Sequence, residues 1–324
     1  MGKSIGKILG LAAAVTLSVY AIVWRAPLPE DAYLQAAVLK HQLLEKTPSP
    51  RFIFIGGSNL VFGLDSRTIH KHFGIPVVNM GLNNGLGLRF MMREVLDEIR
   101  AGDMVVAVPE YNFTLEPTNT LLEYLLFYPR GVRYVDVAGF LTLLREFPLT
   151  TQRRFEGHLR NRLLSQEAQN LSLDYNAAAF NEYGDNTGHL SQPDKKIPLQ
   201  PLGIPAAIPE AVAALNRFKR KLDKKGAFLF LSFSPIPESN FSPTTKKKGL
   251  KLRRWLNDKA DFVILGGPAD FVFPDNMFYD TIFHLNKEGR AARSYRLVNK
   301  LDRALKEMRA PLKSRRGRRS KSGP

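Results

Sequence analysis

The stretch Arg51-Phe52-Ile53-Phe54-Ile55-Gly56-Gly57-Ser58-Asn59-Leu60-Val61-Phe62-Gly63-Leu64-Asp65-Ser66 decides how this chain is read. Phe52 to Ile55 are consecutive large apolar residues, the length of a strand buried on both faces. Gly56 and Gly57 then let the backbone turn sharply, and Ser58 is the next residue. Asp65 or Ser66 can cap a following helix, since either side chain accepts from the orphan N–H groups of a first turn. Taken alone, the stretch reads first as a strand and a turn, where Gly and Ser are common. A buried strand that delivers a serine into a glycine-rich turn is also one way to present a nucleophile, so the rest of the chain has to arbitrate.

Working outward, the same pattern recurs. Asp31 to Lys46 places Ala32, Ala36, Leu39 and Leu43 on one helical face, and Pro48-Ser49-Pro50 ends that helix. A short helix from Ser66 to Phe73 leads to a second buried strand, Pro76 to Gly81, whose exit is Asn79-Met80-Gly81-Leu82-Asn83-Asn84-Gly85. A helix from Leu88 to Arg100 and a turn at Gly102-Asp103 lead to a third strand, Met104 to Val108, which ends in Pro109-Glu110-Tyr111-Asn112. Strand, helix, strand, helix, strand predicts a parallel sheet with helices on both faces.

The alternation then breaks. Residues 113–205 form an insertion with helix candidates at Thr120–Phe127, Val135–Phe147 and Thr151–Leu171, and a long Asn-, Gly-, Pro- and Asp-rich loop over 172–205. Regularity resumes with a helix from Pro209 to Lys224, strand Ala227–Phe233, a helix from Lys246 to Ala260 and a fifth strand, Asp261–Leu265. Asp280 to His284 lies in a connection, and Asn286 caps a final helix to Met308. No internal repeat is present.

Composition narrows the chemistry. With no cysteine among 324 residues, disulfides, thiolate metal sites and a cysteine nucleophile are all excluded. No His-x-x-x-His motif or clustered carboxylate motif suggests a metal, and no cofactor is expected. The net charge is +17, and residues 310–324 supply Lys313, Arg315, Arg316, Arg318, Arg319 and Lys321 without an acid. So basic a segment with so little apolar surface is expected to be disordered. It suits an anionic lipid or polymer as well as nucleic acid. No basic stripe interleaved with aromatics is evident on the folded part, which argues against nucleic acid as the partner.

Ile8 to Trp24 is uncharged and mostly apolar, with Lys3 and Lys7 before it and Arg25 after it. Seventeen residues span about 26 Å as a helix, enough for a bilayer core with local thinning. The run is longer than a usual signal-peptide core and lacks a clean Ala-x-Ala site, so an uncleaved anchor is expected over residues 1–28. The flanking lysines favour a cytoplasmic N-terminus. The body, residues 29–309, then lies outside the inner (cytoplasmic) membrane in a periplasm or its equivalent, on a single-pass anchor.

Ligands of open α/β sheets gather at the carboxyl ends of the strands. Ser58, Asn79–Gly85 and Glu110–Asn112 follow strands one to three, and Asp280 and His284 follow strand five. A serine nucleophile needs a base, an orienting acceptor and N–H donors for an oxyanion, and all are present at compatible places. Each also has an ordinary structural reading: Asp280 as a turn cap, His284 as a surface histidine, Asn83-Asn84-Gly85 as a left-handed turn, and Glu110 as an arginine's partner. Arg153, Arg154, Arg160 and Arg162 read as a solvated helix face.

Ile55-Gly56-Gly57-Ser58-Asn59 resembles the nucleophile block of the SGNH/GDSL hydrolase superfamily. The segment Phe278-Tyr279-Asp280-Thr281-Ile282-Phe283-His284-Leu285-Asn286-Lys287-Glu288-Gly289-Arg290 resembles its C-terminal Asp/His block. The ending His-Leu-Asn-x-x-Gly is similar to membrane-anchored members found with polysaccharide O-acetylation and teichoic-acid D-alanylation systems. The resemblance covers residues 50–112 and 225–308. It implies a three-layer α/β/α sandwich around a five-stranded parallel, flavodoxin-like sheet, with a helical insertion after strand three.

It also implies Ser58 as nucleophile, His284 as general base and then acid, and Asp280 as the group that orients His284. The oxyanion donors would be the N–H groups of Ser58 and of Asn84 or Gly85, with Asn112 a further candidate. The substrate would be an acyl ester on an envelope polysaccharide or lipid, and a membrane acyl-donor protein the implied partner. Two features depart from the family. Three residues separate Asp280 from His284 instead of the common two, and Glu110-Tyr111-Asn112 stands where Gly-x-Asn-Asp is usual. These departures keep open an alternative, a non-catalytic assembly or polymer-binding protein on a degenerate scaffold of the same type.

Overall fold

The computed structural model describes residues 32–163, 173–197 and 202–319, together with the isolated Ser18. Apart from Ser18, the expected anchor therefore lies outside the described residues. Among those residues no helix is long and apolar enough to cross a membrane.

In chain order the elements are α1 (Ala36–Lys46), β1 (Phe52–Gly56), α2 (Ser58–Val61), α3 (Ser66–Phe73), β2 (Val77–Asn79), α4 (Leu88–Leu96) and β3 (Met104–Val108). Then follow α5 (Thr120–Phe127), α6 (Val137–Leu163), α7 (Pro209–Lys224), β4 (Phe228–Leu231), β5 (Ile236–Pro237), α8 (Pro243–Lys259), β6 (Val263–Ile264), β7 (Val272–Phe273) and α9 (Lys287–Arg319). The main sheet is five-stranded and wholly parallel, in the order β2-β1-β3-β4-β6. Central β1 pairs with β3 from Phe52 opposite Met104 to Gly56 opposite Val108.

The uninterrupted apolar runs have the expected cause. Ile53, Ile55, Val105 and Ala107 enter one core with residues of α1, α4, α5 and α7. Phe52, Phe54, Val106 and Val108 enter the other, against Ile69 of α3 and Leu297, Val298 and Leu301 of α9. Successive side chains of a strand point to opposite faces, so only a sheet covered on both sides tolerates such runs. Each large side chain buried this way contributes about 1.5–3 kcal/mol. The result is three layers, helices on sheet on helices.

Several expectations are corrected. The two helices predicted at 135–147 and 151–171 are one helix, α6, with Pro148 inside it. Leu144 and Pro148 are both exposed, so the carbonyl released by proline's missing N–H lies on the solvent side. The helix expected to reach Arg100 ends at Leu96. The loop 172–205 holds short 3₁₀ turns at Leu173–Tyr175, Ala177–Ala179 and Gly188–Ser191. A second, two-stranded sheet of β5 and β7 carried no period in the sequence because each strand has two residues. Helix α9 continues past Met308 to Arg319, through backbone assigned to the disordered tail. Asp65 is the cap of α3, accepting from Thr68 N–H at 3.3 Å.

Candidate active site

The site begins where β1 runs out. Gly56 lies so close to β3 that a Cβ there would sit 2.5 Å from the Val108 carbonyl oxygen. At Gly57 a Cβ would meet Glu110 Oε1 at 2.8 Å and Asn84 N at 3.0 Å. Glycine at Gly57 thus lets the loops after β1, β2 and β3 close on one another. Ser58 then opens the short helix α2.

That turn is held from behind. Asn59 donates from Nδ2 to the Val108 carbonyl at 3.2 Å. Its backbone oxygen accepts from Arg293 at 2.5 Å and its Oδ1 accepts from the same guanidinium at 3.0 Å. Arg293 is fully buried in α9, and burial lowers its pKa to about 9. Arg293 has no carboxylate partner among the described residues, and a buried cation of that kind is costly unless acceptors surround it; the turn at Ser58 supplies two.

The structure brings Ser58, His284 and Asp280 together. Ser58 Oγ lies 2.9 Å from His284 Nε2, and His284 Nδ1 lies 2.7 Å from Asp280 Oδ1. The carboxylate at Nδ1 selects the tautomer protonated there, which leaves Nε2 free to accept the Ser58 hydroxyl. The wider Asp–His spacing is accommodated by a turn in which Thr281 Oγ1 accepts from the N–H groups of Phe283 and His284 at 3.2 and 3.1 Å. Phe62 stacks on the imidazole, with centroids 4.2 Å apart and planes at 20°. Burial would raise the Asp280 carboxyl, but hydrogen bonds from His284 and Tyr175 outweigh it and hold it below the ordinary carboxylate range.

Tyr175 is the residue the sequence did not disclose. It belongs to the insertion, and its phenol donates to Asp280 Oδ2 at 2.7 Å while standing 3.2 Å from His284 Nδ1. Burial first, then Asp280, pushes the phenol well up, so it stays a donor. Nothing marks one tyrosine in an irregular polar loop, and a contact across 105 positions carries no periodic signal.

The oxyanion candidates separate. The N–H groups of Ser58 and Asn84 have no protein acceptor among the described residues. Gly85 N–H, by contrast, donates to Asn83 Oδ1 at 2.8 Å, so its candidacy as a donor is corrected by that local turn. Asn112 is exposed and its Oδ1 accepts from Asn84 Nδ2 at 3.1 Å. Phe113, at φ +46°, closes the turn after it by donating to the Glu110 carbonyl at 2.9 Å. Positive φ is uncommon outside glycine and costs free energy that surrounding contacts must offset.

Glu110 is 7% exposed and makes no ion pair among the described residues, contrary to the arginine pairing considered from sequence. Burial pushes its carboxyl up to about 7, partly opposed by a hydrogen bond from Asn59. Among the described residues no group of three or more metal-ligating side chains converges.

No family model matches the chain, and no curated protein sequence matches it. Among solved structures, the crystal structure of the protein YxiM from Bacillus subtilis matches 79% of this chain and 57% of its own, at 12% identity and a TM-score of 0.38. The chain therefore spans less than two thirds of that protein, and a likeness of this size carries no argument about function.

Proposed function

We propose that the chain is a serine acyl-transfer enzyme of SGNH type, an esterase or O-acyltransferase. The observation that carries this reading is the continuous relay from Ser58 Oγ through His284 to Asp280, at 2.9 and 2.7 Å, braced on Asp280 by Tyr175. Ser58 Oγ attacks the ester carbonyl as its proton passes to His284 Nε2, and Asp280 stabilises the imidazolium. The oxyanion is received by the N–H groups of Ser58 and Asn84, with Asn112 at the rim. His284 returns the proton to the leaving alkoxide, giving an acyl-Ser58 ester and an alcohol. Water or a sugar hydroxyl then attacks that ester, giving up its proton to His284 Nε2, which passes it to Ser58 Oγ as that oxygen leaves. The acceptor class, an envelope polysaccharide or lipid, rests on the sequence resemblance and on residues 8–24 as an anchor with the body outside the inner membrane. A membrane protein would supply the acyl group to a transferase.

A second reading has one observation in its favour. An ionised Glu110 beside Gly57 and Asn84 N would oppose a developing oxyanion, as on a scaffold that has lost its chemistry. Labelling by a fluorophosphonate and turnover of acetyl esters, with and without an acceptor polysaccharide, separate the two. The enzyme reading expects Ser58→Ala and His284→Ala each to lose about a thousandfold or more in turnover, with the double variant little worse than either. Full activity in folded Ser58→Ala would end the nucleophile assignment. A wild-type chain that neither labels nor turns over ester, acceptor present, leaves the non-catalytic reading.

A further inference from the structure

Helix α6 is apolar on the wrong side for a helix of a water-facing surface. Val137, Phe140, Leu141 and Leu144 are 77%, 56%, 59% and 58% exposed. At 100° per residue they fall in one stripe about 100° wide. Gly139 and Thr150, on the other side of the same helix, are buried. An ordinary surface helix turns such a stripe inward, and contiguous exposed apolar surface of this kind marks an interaction face.

The occupant is indicated by where the helix sits relative to the N-terminal segment and by the charges its sequence carries. Thr150 and Arg154 of α6 line one cavity of about 470 Å³ with Ala32, Tyr33 and Leu34. Residue 32 follows the apolar segment 8–24 after eight positions, a reach of no more than about 28 Å. The helix sequence holds Arg145, Arg153, Arg154, Arg160 and Arg162 against Glu146 and Glu156. Bulky apolar residues on one face with an excess of arginine is the composition of a helix that lies in a bilayer interface among anionic headgroups.

We infer that α6 is a second membrane contact, lying along the outer surface of the bilayer with Phe140, Leu141 and Leu144 among the lipid tails. The inference rests on the reading of residues 8–24 as an anchor. It also gives the insertion a purpose, which is to hold the domain against the surface from which a lipid or a membrane-bound donor is drawn. A domain on a single flexible tether would sample all orientations, whereas two contacts fix which side faces the membrane.

The chain's lack of cysteine permits a direct test. Full-length Leu141→Cys, Leu144→Cys, Ala13→Cys and Leu250→Cys variants are labelled with an environment-sensitive fluorophore. They are then reconstituted into phosphatidylcholine–phosphatidylglycerol vesicles with and without spin-labelled lipid. Leu250, half exposed on α8, is the water reference. The expected result is blue-shifted, lipid-quenched emission at positions 13, 141 and 144, and neither change at 250. Quenching at 13 with water-like emission at 141 and 144 overturns the proposal and leaves the anchor standing. Quenching at 141 and 144 without 13 supports the surface contact and removes the anchor. Labels at 141 and 144 that self-quench in a copy-number-dependent way, untouched by spin-labelled lipid, overturn it in favour of a second copy. Emission there that is blue-shifted but unaffected by either treatment overturns it in favour of cover by the chain's own N-terminal segment.

Discussion

At the residue scale, Glu110 carries the clearest consequence. Its folded pKa, about 7, lies above the 4.5 of an ordinary glutamate because burial penalises the charged form. Between those values the folded state holds a proton that the unfolded chain has released. Stability therefore falls as pH rises through that window and stays lower above it. The full difference corresponds to about 3 kcal/mol. Glu110→Gln keeps the shape and the hydrogen bond but cannot ionise. Denaturant midpoints should show the variant gaining on the parent by about 2–3 kcal/mol at pH 8, and no gain near pH 4.5. In the enzyme reading, ester turnover by the parent should also fall as pH rises past 7 while turnover by Glu110→Gln does not. Equal midpoints at pH 8 would mean that the carboxylate is stabilised by a group the described contacts lack. Sequence placed Glu110 at a strand end, but not its lack of an ion pair among the described residues, because pairing across a fold leaves no local mark.

At the element scale, the buried carboxylate of Asp185 helps bind the insertion to the face that carries Ser58. Asp185 accepts from Ser66 Oγ at 2.7 Å, Ser66 N–H at 2.9 Å, Asn79 Nδ2 at 2.8 Å and Arg290 at 2.9 Å. It thereby ties the loop that carries Tyr175 to α3, β2 and α9. Asp185→Ala should cost about 3–5 kcal/mol, since it leaves Arg290 buried without its partner. Any folded fraction should lose turnover as Tyr175 loosens from Asp280. Calorimetry and ester kinetics on the same sample check both, and an unchanged melting temperature would refute the clasp. The elements themselves were unevenly legible. β1, β3, α3, α5 and α7 follow from apolar runs, an Asp cap and helical periods, because a doubly covered sheet imposes these locally. The union of two predicted helices into α6 was not legible, since Pro148 is normally a boundary. The Ser58–His284 contact, across 226 positions, was expected from placement at strand ends and from the resemblance of two blocks, and its brace by Tyr175 from nothing in the sequence.

At the scale of the whole molecule, the proposed orientation rests on charge and on the apolar N-terminal segment. An anchored chain with its body outside predicts that a C-terminal reporter active only after export will be active in cells, and a reporter working in the cytoplasm would reverse the topology. The charge predicts more. Six of the seventeen net positive charges lie in residues 310–324, while the apolar residues that α9 buries in the second core are Leu297, Val298, Leu301 and Ala304, with Leu305 and Met308 packed against them. The described core contacts of α9 thus lie before the basic segment begins. Deleting 310–324 should leave the melting temperature and ester turnover nearly unchanged. Binding of the detergent-solubilised chain to anionic vesicles should weaken by about 1 kcal/mol for each Lys or Arg that had reached the surface. The loss should be largest at low salt and shrink as ionic strength rises, because the Debye length falls from about 30 Å at 0.01 M to about 10 Å at 0.1 M. If the truncated chain instead melts much lower, the extension of α9 to Arg319 is docked on the domain and its charges serve the fold. If stability holds but affinity for anionic surfaces is unchanged at every salt concentration, the charges that matter lie on the folded body, with the arginines of α6 the first to substitute.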